Sequence, residues 1–210
     1  MGIFPRLTEV GEQRVLIETR KLIGNAQKAS KQLCGIVDGS SDLEKIHELK
    51  SSSYEEVVKF SNTITSGAVS PNVIPDMLQL VGLEYNIIDM VFVLSRSFTR
   101  YRLSNPVQRR FVKGKIAATN ALAEDALSVL YAMHSAGRID DIKRMRSRVK
   151  LLEEEGDEIK EEMLNYAYNA KTGFKTFYHI INLAYIADDV LDSCEDTADM
   201  LMNIMLSVAT

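Results

Sequence analysis

Helical periodicity runs through this sequence almost without interruption, and that constrains the fold more than any other feature. Apolar residues recur every three or four positions, strand-type alternation is absent, and only four prolines occur. The breaks are few, and each carries a recognisable stop or start signal. A first helix runs from about Leu7 to Val37 and stops at Asp38-Gly39. Ser41 and Glu44 have capping-box spacing, so a second runs from about Asp42 to Thr65. Gly67 and Pro71 break the chain, and Pro75-Asp76 opens a third helix to about Leu103. Asn105-Pro106 reads as an N-cap followed by proline at the first helical position, and starts the fourth. Gly137 ends the fourth as a C-cap. A fifth spans about Asp140 to Ala170, and Gly173 separates it from a sixth that reaches the C-terminus. Helices of roughly 25 to 35 residues joined by short turns pack as an antiparallel all-α bundle.

The Asn105-Pro106 break lies at the middle of the 210 residues. A shift of about 103 residues lays core on core: Leu183, Ile186, Val190 and Leu191 fall on Leu80, Leu83, Ile87 and Ile88. The expectation is one domain over 1–210 built from two three-helix units, repeat 1 about 1–104 and repeat 2 about 105–210.

Charge is distributed unevenly. The net charge is −4, which gives no sign of a nucleic-acid binder. The stretch Ala187 to Met200 reads A-D-D-V-L-D-S-C-E-D-T-A-D-M. On a helix, Asp188, Asp192, Glu195 and Asp199 share a stripe roughly 60° wide, with Asp189 and Asp196 outside it. Ala187, Leu191, Cys194 and Ala198 lie on the adjoining apolar side. Like charges at this spacing repel, so either solvent screens them or a cation compensates them. In the fifth helix, L-E-E-E-G-D places Glu153 and Asp157 four apart. Two adjacent antiparallel helices can aim these two pairs at one point. Oxygen ligands suit Mg, Mn or Ca, and also iron. A solvated acidic face is the plain alternative.

These residues carry a resemblance. L-E-E-E-G-D and D-x-x-x-D-S-C-E-D-T-A-D resemble the second half of the PhoU-related family of phosphate-transport regulators, often called Pit accessory proteins. Ser70-Pro71 sits where that family has a threonine-proline turn before its third helix. The resemblance implies two three-helix bundles, a non-enzymatic role in phosphate uptake or its regulation, a phosphate transporter as partner, and metal held by E/D-x-x-x-D pairs, commonly a multinuclear iron cluster. Carried over, the ligands are Glu153, Asp157, Asp188 and Asp192, with Glu195, Asp196 and Asp199 in support. The first half departs from this pattern. Lys50 and Tyr54 stand for Glu153 and Asp157, Tyr85 for Asp188, and Arg96 for Asp199. Only Asp89 remains, in the place of Asp192. A lysine in a ligand position disfavours a cation there, so one metal site is expected, in the second half.

Other patterns compete. D-D-V-L-D also fits the D-D-x-x-D of prenyl-diphosphate synthases, which would make this a metal-dependent enzyme on diphosphate or phosphorylated substrates. Glu44 and His47 form the Glu-x-x-His of di-iron bundles, though a capping role explains Glu44. His134 is expected to compensate a helix C-terminus, and His179 to sit at the core edge. No nucleophile motif and no phosphate-cradling glycine loop occur. Gly156 either admits a close helix or is merely tolerated. A structural bundle without metal is the third alternative.

Between Asp89 and Glu124 there is no acid but seven bases: Arg96, Arg100, Arg102, Arg109, Arg110, Lys113 and Lys115. They gather at one end of the bundle and are expected to dock an acidic transporter loop or a membrane surface. Met90, Phe92 and Phe98 are expected in the core. The start lacks a signal-peptide pattern, Gly2 with Arg6 does not fit myristoylation, and Met90 to Leu94 is too short an apolar run to span a bilayer. Cys34 and Cys194 give no disulfide framework. A cytoplasmic protein, peripheral to a membrane at most, is therefore expected. The apolar C-terminus M-L-M-N-I-M-L-S-V-A either joins a second copy in a homo-oligomer or completes its own bundle.

Overall fold

The computed structural model of the protein describes residues 9–208. The helix start expected near Leu7, and Gly2 and Arg6, lie outside them. Six helices follow in order: α1 Glu9–Asp38, α2 Leu43–Thr63, α3 Ile74–Arg100, α4 Pro106–Met133, α5 Ile139–Asn169 and α6 Phe174–Val208. A π-helical turn, Ile64–Ala68, unwinds the end of α2.

The turns show how the chain is punctuated. Gly39 adopts φ +84°, which lets the amides of Ser40 and Ser41 fold back onto the Gly35 carbonyl at 2.7 and 3.1 Å. Asp42, not Ser41, caps α2: its side chain accepts from the Lys45 amide, while the Ser41 hydroxyl is spent on Gln32. Asn105 caps α4 through the amides of Val107 and Gln108 at 2.9 and 3.3 Å, with Pro106 entering the first turn. Gly137 does not end α4. The helix stops a turn earlier at Met133, where the His134 ring takes up the Leu130 carbonyl that a glycine cap would have served.

α1, α3, α6 and α4 form a central ring in which each packs against the next. α2 lies outside against α1 and α3, and α5 lies outside against α4 and α6. Fully buried Leu22, Ile23 and Leu33 from α1 meet Leu80, Ile87 and Ile88 from α3 and Ile116 and Leu127 from α4. Each such side chain contributes about 1.5–3 kcal/mol by leaving water. Phe92 is in this core, and Met90 and Phe98 pack on its margin. α3 is the one helix among the described residues long and apolar enough to cross a membrane, but half of that stretch is buried inside the bundle. Leu201 and Ile204 of the C-terminal segment are buried in their own bundle.

α5 and α6 make the most intimate pair. A Cβ on Gly156 would stand 2.2 Å from Leu191 Cδ1, so the glycine is what admits the α6 side chain. That contact fixes how closely the acidic faces of the two helices approach. The alternation of helix direction brings the α1–α2, α3–α4 and α5–α6 turns to one end of the bundle.

Candidate functional site

Arg146 of α5 forks onto Asp199 of α6, and Lys150 reaches Glu195 at 3.6 Å. This antiparallel register sets Glu153 across from Asp192 and Asp157 across from Asp188. The two pairs foreseen on consecutive helices do share one face. The charges of Asp157, Asp192 and Asp188 all act on the Glu153 carboxyl. Lys160, one further turn along α5, inserts its ammonium between Asp157 and Asp188, 2.6 Å from Asp188 Oδ2.

Lys160 was missed by sequence reasoning. Its signal was present, because Glu153, Asp157 and Lys160 follow i, i+4, i+7 on one stripe. Among the described residues no group of three or more acid, His or Cys side chains is arranged to hold one metal ion. The Lys160 ammonium stands between two of the four carboxylates. The three expected supports also lie elsewhere. Glu195 and Asp199 are held by Arg146 and Lys150, and Asp196 is exposed with no ion pair among the described residues.

One lysine does not neutralise this face. Burial and the charges of Asp157, Glu195, Asp192 and Asp188 push the Glu153 carboxyl up to about 7. Burial and Asp188 push Asp192 up to about 6, although its side chain remains open to solvent and partly screened. Asp157 moves the other way, lowered chiefly by its hydrogen bond to Lys160. Asp188 is 6% exposed and raised by burial, and its Oδ1 has no hydrogen-bond partner. The donors are all oxygen, one of them buried and unsatisfied, and negative charge is in excess. In donor type and charge the residues suit a hard cation or iron once Lys160 gives way.

Because Glu153 binds its proton more tightly folded than unfolded, the native state holds more protons between pH 4.5 and about 7. Stability from this group is therefore lost as pH rises through that window. Glu153→Gln is expected to raise stability by about 1 kcal/mol above neutral pH, allowing for solvent screening, and to flatten the loss. Urea unfolding at both ends of the window reads this. An unchanged slope would mean that neither burial nor the like charges hold the Glu153 proton in the folded state.

The corresponding places in the first half are filled differently. Lys50 pairs with Asp89, and the Tyr54 and Tyr85 rings meet edge-on at 5.8 Å. An ion pair and an aromatic contact thus occupy the positions of Glu153, Asp192, Asp157 and Asp188. Glu44 and His47 form an exposed local pair at 3.7 Å.

At the end where three turns meet, the seven bases fall into different roles. Arg109 donates to the Leu103 and Ser104 carbonyls and so holds the α3–α4 turn, while Lys115 pairs with Glu162. Arg96 lies over the Phe92 ring. Arg102, Arg109, Lys113 and His179 line a cavity of about 300 Å³ floored by Val37, Phe98 and Val112. His179 is half-buried there against Tyr101, and burial lowers its pKa.

The fold resembles that of two crystal structures from Shewanella oneidensis MR-1. One is described as a PhoU-like phosphate regulatory protein. It aligns at TM-score 0.58 and 12% identity, covering 94% of this chain and 98% of that one. The other, a PhoU-like protein, aligns at TM-score 0.59 and 12% identity, covering 98% and 100%. The fold is PhoU-like. No family model matches the sequence, and no curated protein does. At 12% identity the PhoU-like likeness extends to the path of the backbone over the whole length. It does not assign the acidic residues.

Proposed function

We propose that this protein is a non-enzymatic regulator of phosphate transport, of the Pit accessory type, in which one cation is held by carboxylates of the second half. The observation that carries this is the meeting of Glu153, Asp157, Asp188 and Asp192 across α5 and α6 with their charge only partly compensated. The full-length likeness to PhoU-like structures supports it. Iron, Mg, Mn or Ca would be held by those four residues, and a cation with open positions could accept phosphate oxygens. The two halves are read as a duplicated unit that kept its acids in one copy. The partner is a phosphate transporter.

Elemental analysis of protein purified without chelator tests the site. Asp192→Asn is expected to lose at least about tenfold in metal affinity, the scale of one lost charge at a carboxylate site. Asp89→Asn, at the equivalent place in the first half, is expected to lose none. Metal retained in the first variant and lost in the second would overturn the assignment.

The enzyme alternative has one observation in its favour: Glu153, held near pH 7, has the pKa of a general acid or base. Hydrolysis of a diphosphate or phosphoester that disappears in Glu153→Gln would select it.

A further inference from the structure

The end of the bundle formed by the α3–α4 and α5–α6 turns combines two properties. The first is charge. Neither the stretch from Met90 to Ala123 nor that from Met163 to Ala187 contains an acidic residue. Arg100, Arg102, Arg110, Lys113, Lys171 and Lys175 have no carboxylate partner among the described residues. Asp38, Asp42 and Glu44 border this area from the α1–α2 turn. The second is exposed apolar surface on the same helix ends. Val107 in the first turn of α4 is 71% exposed, Tyr168 in the last turn of α5 71%, and Phe174 and Tyr178 in the first turns of α6 78% and 61%. The side chains adjoin one another: Phe111 stacks on Tyr166 at 3.9 Å, Tyr168 meets Phe177 at 5.3 Å, and Phe174 lies along Tyr178 at 6.2 Å.

We infer that this end of the bundle seats on an anionic lipid bilayer, with Phe174, Tyr178, Tyr168 and Val107 entering the headgroup layer and the unpaired Arg and Lys side chains meeting lipid phosphates. Aromatic side chains favour that layer because their rings are apolar and their rims polar. Basic residues beside an anionic leaflet add attraction within a Debye length. The whole chain is net negative at −4, so the rest of the surface is repelled and the molecule stands end-on. A second copy of this chain is a poor occupant, since two basic ends would repel. The rings sit on projecting helix ends flanking two turns, a shape that a fluid surface accepts without a matching groove.

Vesicle flotation tests this with phosphatidylcholine alone and with roughly 30% phosphatidylglycerol added, a charge density like that of an anionic leaflet. The protein is expected to float with the anionic vesicles at least about tenfold more strongly. Arg110→Glu with Lys113→Glu, and separately Phe174→Ser with Tyr178→Ser, are each expected to lose about tenfold while the helical circular dichroism stays unchanged. Equal binding to both vesicles, or none to either, would overturn the inference. So would loss in the charge variant alone, because the rings would then not enter the layer. Capture by polyglutamate without vesicle binding would point to an acidic protein partner and also overturn it. Neither variant touches Asp192 or Asp89, so metal analysis stays an independent test of the phosphate regulator.

Discussion

His134→Ala is expected to destabilise the protein by about 3–5 kcal/mol, the range for removing one partner of a buried charged pair. His134 Nε2 lies 2.5 Å from Glu84 Oε1, and neither side chain is exposed at all. The opposite ring nitrogen lies 2.8 Å from the Leu130 carbonyl and donates to it. With Nδ1 a donor, Nε2 either accepts a hydrogen bond from a protonated Glu84 or carries its own proton and donates to the ionised carboxylate. Burial pushes the Glu84 carboxyl up, against the pull of His134 and Thr19. Removing the imidazole leaves Oε1 without its hydrogen-bond partner in an apolar interior, beside an Oε2 that already has none. Glu84→Met combined with His134→Leu removes the polar groups from both sides and is expected to recover most of the loss. Urea unfolding of the two single variants and the double variant gives the cycle. A loss below about 1 kcal/mol in His134→Ala would mean that water reaches the pair.

This pair marks where the sequence stopped being informative. The helix count and the breaks were legible because each rests on local chemistry: Gly39 at positive φ, Asn105 followed by Pro106, and the periodicity between them. His134 was legible only by halves. Its bond to a carbonyl at the end of α4 follows from position along the helix. Its partner Glu84 lies fifty residues earlier, and nothing local links them. Glu84 did leave a signal, since it shares the apolar stripe of Leu80, Ile87 and Ile88, a place that a carboxylate occupies only with compensation.

The acidic site shows the same division. The stripe on α6 and the i, i+4 pair on α5 were legible because they belong to single helices. The register of α5 against α6 was not, for it depends on Leu191 entering the gap left by Gly156. Nor was the sorting of the acids. Arg146 and Lys150 draw Glu195 and Asp199 away, and Lys160 enters between Asp157 and Asp188. The exposure of the rings around the α5–α6 turn is not legible, because helical periodicity shows which residues share a face but not which helix end lies open.

Lys160→Met is expected to raise affinity for Mn²⁺ by about ten- to a hundredfold. The ammonium stands where a cation would meet Asp157 and Asp188, so in the native chain an entering ion must displace it. A unit charge at about 4 Å acts with about 4 kcal/mol at an effective dielectric near 20, and partial exposure of the face reduces this to about 1.4–2.7 kcal/mol. Methionine keeps most of the stem and its packing while removing the charge. Without metal the variant should be less stable by about 1–3 kcal/mol, because Asp188 is buried and Lys160 is the partner of its Oδ2. Added Mn²⁺ should restore that loss, and Lys160→Arg should bind the ion no better than the native chain. Titration calorimetry and unfolding with and without Mn²⁺ separate these effects. If native protein and Lys160→Met bind Mn²⁺ equally, the lysine does not compete for the cation position. If Glu153→Gln in the methionine background leaves the affinity unchanged, the ion is not held between α5 and α6.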